Sequence, residues 1–185
     1  MTTVVERLAV GGARRLERPA GAVLRRARVR SILQRRALRA WHSTDAPLIL
    51  CYGNINRSAF ATALARRSGR LRASGGGFYP REGRRAPGPT IACAATYGVD
   101  LTGHRSRCVT SDDLAGAPAI FVFDLENVAR LAVRRPLALA RTHLLGALDG
   151  DPQVLIADPH GRPVAALERT VARIARAVQR AEGGR

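Results

Sequence analysis

Residues 47–64 read PLILCYGNINRSAFATAL, and the reading of the whole chain starts from this stretch. The apolar run Leu48-Ile49-Leu50 predicts a buried strand, and from Ala59 to Leu64 the pattern turns helical. Between them, Cys51-Tyr52-Gly53-Asn54-Ile55-Asn56-Arg57-Ser58 puts an Arg six positions after a Cys and a Ser directly after the Arg. A tight turn at a helix N-terminus aims several backbone N–H groups into one bowl, where the helix dipole and an Arg fork favour a tetrahedral oxyanion. The same field favours the thiolate, which is the nucleophilic form, so Cys51 is expected to be activated and seated beneath a bound phosphate. Arg is frequent enough here that Cys-to-Arg spacing alone discriminates little; the surroundings discriminate more. Cys93 and Cys108 have Val99 and Leu114 at the equivalent places, and only Cys51 has a strand before it, a Gly-Asn turn within the loop and a Ser-led helix after it.

With 185 residues, 46% of them hydrophobic, the chain is long enough for one α/β domain with a full core plus an appendage. All 31 basic residues are Arg, and the lack of Lys excludes a P-loop NTPase with its phosphate-binding lysine. Residues 1–45 carry 11 Arg against 3 acids and the remainder 20 against 11, so the net charge of +17 is spread over both parts. Such a field attracts phosphorylated or acidic partners, anionic lipid or nucleic acid without choosing among them. Aromatics make up only 4% and do not interleave with basic residues, so no specific nucleic acid is expected as partner. The three cysteines form no CxxC pair and no His/Cys metal spacing, which predicts no metal; an odd, sparse set suits a reducing cytoplasm. No run approaches the ~18 apolar residues of a membrane span. Arg14 and Arg15 interrupt any continuous apolar segment near the start, so a secretory signal is not expected either.

Along the chain, Gly11-Gly12 and Pro19 argue against a long continuous helix in residues 1–19. From Ala20 to Trp41 the spacing turns helical, with Val29, Ile32, Leu33, Ala37, Ala40 and Trp41 on one side and Arg largely around the rest. This Arg-rich amphipathic helix either packs on its own domain with a solvated basic face or docks on an anionic membrane or a protein partner. His42 to Pro47 reads as a linker, dividing a basic N-terminal extension (1–45, helical from about 20 to 41) from the main domain (46–185). In that domain Arg66-Arg67-Ser68-Gly69 ends the first helix and Leu71 to Ser74 predicts the second strand. A loop dense in Gly, Pro and Arg follows, in which Phe78 or Tyr79 can wall an aromatic substrate. Helix is predicted over Thr90 to Gly98, Val128 to Arg134 and Pro163 to Glu182. Strands are predicted at Ala119 to Phe123 and Leu137 to Leu145, with Gly146 to Gly161 a long loop. The alternation predicts a four-stranded parallel sheet with helices on both faces. Cys93 reads as core filler, and His42 and His143 as structural.

The loop Cys51 to Ser58 resembles the signature loop of the low-molecular-weight protein tyrosine phosphatases. Further matches follow in that family's order: Ala73-Ser74-Gly75-Gly76 its Ser-Ala-Gly turn, Gly98 to Arg107 its G-x-D-x-x-x-H-x-A-R segment, Phe123-Asp124-Leu125-Glu126-Asn127 its M-D-x-x-N, and Asp158-Pro159 its late Asp-Pro. The resemblance covers roughly residues 46 to 182 and implies a Rossmann-like domain that hydrolyses phosphotyrosine without metal or cofactor, through a cysteinyl-phosphate. On that resemblance Cys51 attacks phosphorus while Arg57 and the backbone from Tyr52 through Gly53, Asn54, Ile55, Asn56 and Arg57 to Ser58 hold the oxygens. Asp158 serves as acid and then base, with Asp149 and Asp151 as nearby competitors. Ser58 donates its hydroxyl to the sulfur, and Asn54 is tied to Ser74 and His104 as supports. Asp124 and Asn127 buttress the loop or the adjacent helix.

Two departures stand out. Asn56 occupies a place where many members carry a second Cys that protects the nucleophile as a disulfide, and His160-Gly161 replaces the aromatics that often follow the Asp-Pro. Aromatic stacking is then left to Tyr52, Phe78, Tyr79 or His160. The implied partner is a phosphotyrosyl protein, by analogy a bacterial tyrosine kinase of polysaccharide export. Thioredoxin-coupled arsenate reductases share the fold and loop but relay through two further cysteines a few residues apart, whereas Cys93 and Cys108 are fifteen apart. A weakly active phosphate-binding or scaffolding protein is the other alternative, against which the intact Cys51, Arg57 and Asp158 argue.

Overall fold

The computed structural model describes residues 3–67, 69 and 71–183. Strands β1 (Leu48–Cys51), β2 (Ser74–Gly77), β3 (Ile120–Val122) and β4 (Thr142–Leu144) form one sheet in the order β2-β1-β3-β4, every neighbouring pair parallel. The helices are α1 (Val4–Leu24), α2 (Ala27–His42), α3 (Arg57–Arg66), α4 (Gly88–Ala95), α5 (Ser111–Gly116), α6 (Leu125–Arg134) and α7 (Val164–Gly183). Successive strand residues face opposite sides, and the core divides accordingly. Ile49, Cys51, Phe121 and Phe123 join Phe60 of α3 and Ile174 of α7, while Leu48, Leu50, Ile120 and Val122 join Leu131 of α6 and Leu114 of α5. Strands buried on both faces have no polar alternation to show, which is why β1 and β3 read as uninterrupted apolar runs.

The chain leaves β1 toward β2 on one side and returns to β3 on the other, so the order of strands reverses between β1 and β3. Crevices form at the carboxyl ends of strands at such a switch point. Cys51 ends β1 there, and Asp124, just after β3, caps α6 by accepting the Asn127 N–H at 2.7 Å.

Several predicted boundaries move. The second strand is Ser74–Gly77 instead of Leu71 to Ser74, because the three glycines let it lie against β1 and the loop. A Cβ on Gly77 would come within 2.8 Å of the Tyr52 carbonyl oxygen and one on Gly76 within 3.2 Å of Leu50. The fourth strand shrinks from Leu137–Leu145 to three residues, since Pro136 fixes the φ of a first turn and the chain winds as a 3₁₀ helix over Pro136–Arg141. Of the Arg66-to-Gly69 cluster predicted to end α3, Ser68 lies outside the described residues; the helix does end at Arg66.

The N-terminal region departs most. Where a single helix over about 20–41 was expected, there are two, meeting at Arg25–Arg26, and α1 runs straight through Gly11, Gly12 and Pro19. Glycine and proline cost helix stability locally, but α1 lies along α6, where Glu6 and Val10 are buried and Arg14 grips Glu126 with both a 2.6 Å and a 3.2 Å bond. Of the placements open to the basic helix, α2 takes the packed one. Ala37 and Trp41 are buried in the core, the Trp41 ring meets Phe121 edge-on at 5.1 Å, and its indole N–H donates to Glu182 at 2.8 Å. No helix among the described residues is long and apolar enough to cross a membrane. Because Trp41 is wholly enclosed, Trp41→Ala is expected to lower stability by about 3–5 kcal/mol in urea denaturation; a loss below about 1 kcal/mol would mean that α2 is not part of the folded core.

Candidate active site

The loop that follows β1 closes on the Cys51 sulfur. Asn54 adopts φ +51°, a left-handed conformation that Asn tolerates better than most residues, and this turns its backbone N–H back to Cys51 Sγ at 3.3 Å. Ser58, in the first turn of α3, lies 3.0 Å from the same sulfur. The Asn54 side chain fastens the two ends, its Nδ2 donating to Ser58 Oγ at 2.9 Å and its Oδ1 accepting from the Arg107 N–H at 3.0 Å. His104 Nε2 lies 2.7 Å from the Asn54 carbonyl oxygen, and Asn56 Oδ1 accepts from the Thr90 hydroxyl of α4 at 2.7 Å. With Asn54 Nδ2 occupying Ser58 Oγ as acceptor, the one Ser58 proton can go to the Cys51 sulfur or to the Gly76 carbonyl at 3.3 Å.

Arg57 is 2% exposed. Its Nη1 donates to Asp124 at 2.5 Å and to the Ile156 carbonyl at 3.0 Å, and its Nη2 to Asp158 at 2.7 Å. Burial alone would push this guanidinium down, yet Asp124, Asp158 and then Cys51 hold it well above the usual arginine range. Its Nε–H, also buried, has no hydrogen-bond partner. A bound oxyanion could take that donor.

Cys51, Tyr52, Gly53, Ile55, Asn56, Tyr79, Arg84, Asp158 and His160 enclose a cavity of about 180 Å³. Its aromatic side consists of Tyr52 and Tyr79, edge to face at 5.5 Å, and each ring is backed by a guanidinium: Arg130 at 4.1 Å from the Tyr52 centroid, Arg84 at 4.2 Å from that of Tyr79.

The model of the family described as low molecular weight phosphotyrosine protein phosphatase matches residues 48–181. The chain belongs to this family. Among curated relatives, the probable low molecular weight protein-tyrosine-phosphatase EpsP of Ralstonia nicotianae is 30% identical, over 71% of this chain and 89% of its own. Among solved structures, the tyrosine phosphatase Wzb of Escherichia coli K30, in complex with sulphate, is similar with a TM-score of 0.69 at 26% identity, over 76% of this chain and 99% of that one. The tyrosine phosphatase AmsI of Erwinia amylovora shares the fold with a TM-score of 0.70 at 23% identity, over 76% and 92%.

Of the residues singled out from the low-molecular-weight phosphatase pattern, Cys51, Tyr52, Gly53, Ile55, Asn56 and Asp158 line the cavity, while Asn54, Arg57, Ser58 and His104 are bonded to that loop or to Asp158 without lining it. Ser74 does not bond to Asn54: it lies in β2 opposite Leu48, and the next residue, Gly75, is the one that faces Asn54. A Cβ there would stand 3.3 Å from Asn54 Nδ2 and 2.6 Å from Thr62 Oγ1, a buried hydroxyl without a partner. Phe78 turns into the core and Tyr79 faces the cavity. Asp149 is buried, its backbone carbonyl accepting from Arg180, and like Asp151 it does not line the cavity. Burial pushes the Asp149 carboxyl up. Neither Cys93, beside Glu168, nor Cys108, beside Arg134, lines it either. His42 bonds the Ala181 carbonyl at 2.8 Å and His143 packs on Phe121, burial pushing its imidazole down.

Asp124, expected to buttress the loop or the adjacent helix, accepts the Asn127 N–H at the start of α6 and bonds Arg57. Arg84, whose Nη2 also donates to the Gly53 carbonyl at 2.5 Å, was not foreseen, because one Arg among 31 carries no distinguishing signal. Gly77 lies against the loop itself, an added Cβ meeting the Tyr52 carbonyl at 2.8 Å and the Asn54 N–H at 3.0 Å. Gly77→Ala must therefore displace loop backbone, and inorganic phosphate affinity measured by calorimetry is expected to fall about tenfold or more; unchanged affinity would show that the loop is not the anion seat.

Proposed function

We propose that the chain is a protein tyrosine phosphatase that works through a cysteinyl-phosphate at Cys51. The observation that supports this best is the buried, partnerless Nε–H of Arg57 in a loop whose Asn54 N–H and Ser58 hydroxyl already attend the sulfur. A dianionic phosphoryl group bonded to that N–H and to the loop amides would hold its phosphorus over Cys51 Sγ. The sulfur attacks phosphorus, the P–O bond to the tyrosine breaks, and Asp158 gives its proton to the departing oxygen. Asp158, now a carboxylate, takes a proton from water as that water attacks the phosphorus, and Cys51 leaves as thiolate with a hydrogen bond from Ser58. Arg57 and the amides stabilise the equatorial oxygens in both steps.

Tyr52, Tyr79 and His160 suit an aryl phosphate, and the relatives named as tyrosine phosphatases support the same substrate class. A phosphotyrosyl protein follows as partner, a bacterial tyrosine kinase of polysaccharide export being the class implied by resemblance, in a cytoplasm that keeps Cys51 reduced. The relay cysteines that an arsenate reductase needs are not beside Cys51, so that reading has no observation in its favour.

Turnover of p-nitrophenyl phosphate in the presence of a metal chelator tests the proposal. Wild type is expected to hydrolyse it and Cys51→Ser to be inactive. Asp158→Ala should be slower by roughly 10²-fold or more, with the largest deficit for poor leaving groups. A wild-type protein without turnover, or a fully active Cys51→Ser, would overturn it.

A further inference from the structure

The family match begins at residue 48, yet a residue from the first turn of the chain reaches the cavity through one intermediary. Glu6 occupies the third position of α1 behind the cap Thr3, whose hydroxyl accepts the Glu6 N–H at 3.1 Å. A Glu at this position usually folds back on the cap residue's N–H. Here the carboxylate goes instead to Arg130 of α6, with Nη1 to Oε1 at 2.8 Å, and both side chains are almost fully buried, at 5% and 8% exposure. Arg134 lies 3.8 Å from the same oxygen. The guanidinium of Arg130 then lies over the Tyr52 ring at 4.1 Å.

We propose that Glu6 is a positioning residue for substrate: through Arg130 it fixes the Tyr52 ring as a wall for the aryl group, so that α1 sets aryl affinity without touching the substrate. The proposal rests on the reading of this cavity as a phosphotyrosine site. A buried carboxylate and guanidinium gain from each other only in a defined geometry, so the pair orients Arg130 where hydrophobic packing would leave it free to choose rotamers. Arg130 Nε, buried and without a partner, has no second polar anchor to keep the plane of the guanidinium once Glu6 is gone. A flat cation stacked on one face of the ring limits its rotation and leaves the remaining surface to the ligand. Arg57, Ser58 and Asn54 are held by other bonds, so the anion seat should not feel the change.

Binding of benzylphosphonate and of inorganic phosphate, measured by calorimetry on wild type, Glu6→Gln, Glu6→Ala, Tyr52→Leu and the Glu6/Tyr52 double variants, separates the ring wall from the anion seat without requiring turnover. Loss of Glu6 is expected to weaken benzylphosphonate roughly five- to tenfold, the scale of one aromatic contact, and to leave phosphate within about twofold. In the Tyr52→Leu background it should add nothing. Hydrolysis of p-nitrophenyl phosphate should show the same rise in KM with kcat within about twofold. Arg14→Gln, which cuts the exposed tie of α1 to Glu126, should change neither affinity. Parallel loss of phosphate affinity, an effect that persists without Tyr52, an equal effect of Arg14→Gln, unchanged benzylphosphonate binding in both Glu6 variants, or a wild type that binds benzylphosphonate no better than phosphate would each overturn the proposal. Should wild type bind both ligands and fail to turn over the ester, the enzyme reading falls and this one is judged on the binding alone. If Glu6→Ala does not fold, Glu6→Gln, which removes the charge paired with Arg130, decides alone, and unchanged benzylphosphonate binding in it then overturns the proposal.

Discussion

A guanidinium with almost no solvent exposure is the constraint on which the rest of the molecule depends. Arg57 cannot be discharged, and an arginine removed from water must find anions or carbonyls within hydrogen-bond reach or the fold loses several kcal/mol. It finds Asp124, the Ile156 carbonyl and Asp158, groups spread over more than thirty residues of sequence and all far from position 57. Bringing them to one point requires the end of β3 and the segment before α7 to close over the end of β1. The parallel sheet does this at its switch point, and the Ile156 N–H bonded to the Phe123 carbonyl at 2.8 Å holds the later segment against β3. The fold and the surroundings of Arg57 are thus answers to one electrostatic problem.

Helix α6 distributes the solution. Asp124, Asn127, Arg130 and Arg134 follow at three- and four-residue intervals, so they share one side of the helix. Asp124 meets Arg57, Arg130 meets both Glu6 and Tyr52, and Arg134 donates to the Phe78 carbonyl at 2.6 Å. A single helix face therefore connects the loop that begins at Cys51, the aromatic wall beside it and the N-terminal helix packed outside. Helix α1 is thereby tied, through Arg130, to a ring that lines the cavity.

What could be read from the sequence follows the range of the interactions. The Cys51 loop was legible because strand, turn, arginine and helix start all fall within eighteen residues, and each carries a local signature. Asp124 and Asp158 were legible only through their family pattern; nothing near them in sequence says that they meet Arg57. The second strand was misplaced because Gly75, Gly76 and Gly77 look like a turn, and only the closeness of Leu50, Tyr52 and Asn54 makes glycine the residue that fits a strand there. That shift also decides which residues face the loop: Gly75 rather than Ser74 faces Asn54, and Tyr79 rather than Phe78 reaches the cavity. Arg84 and Arg130 were hidden by a composition in which every cation is an arginine. For α1, local rules against Gly11, Gly12 and Pro19 were correct about propensity and were outweighed by burial of Val10 and the Glu6–Arg130 pair.

The pairing of Arg57 with Asp158 also bears on how the proposed reaction begins. Without substrate, Nη2 of Arg57 is engaged by the Asp158 carboxylate, which in the proposed reaction must leave the guanidinium and take a proton from solvent before it can protonate the leaving oxygen; it is 40% exposed, whereas the arginine is almost wholly enclosed. In the proposed reaction a phosphoryl dianion entering the loop would carry more charge than one carboxylate and would meet the loop amides and the partnerless Nε–H as well, so it would compete with Asp158 for the guanidinium. Asp124, buried and also held by the Asn127 N–H, keeps its place on Nη1. In that proposed reaction the exchange would be directional: the inner carboxylate would continue to neutralise Arg57, and the outer one would be released toward solvent, where it can be protonated, and the leaving oxygen. Pro159 and the His160 N–H, which donates to Asp158 Oδ1 at 3.1 Å, confine where the freed side chain can go. Both aspartates accept two hydrogen bonds, so what separates their places in the proposed reaction is burial: Asp124 is enclosed and Asp158 stands at the rim.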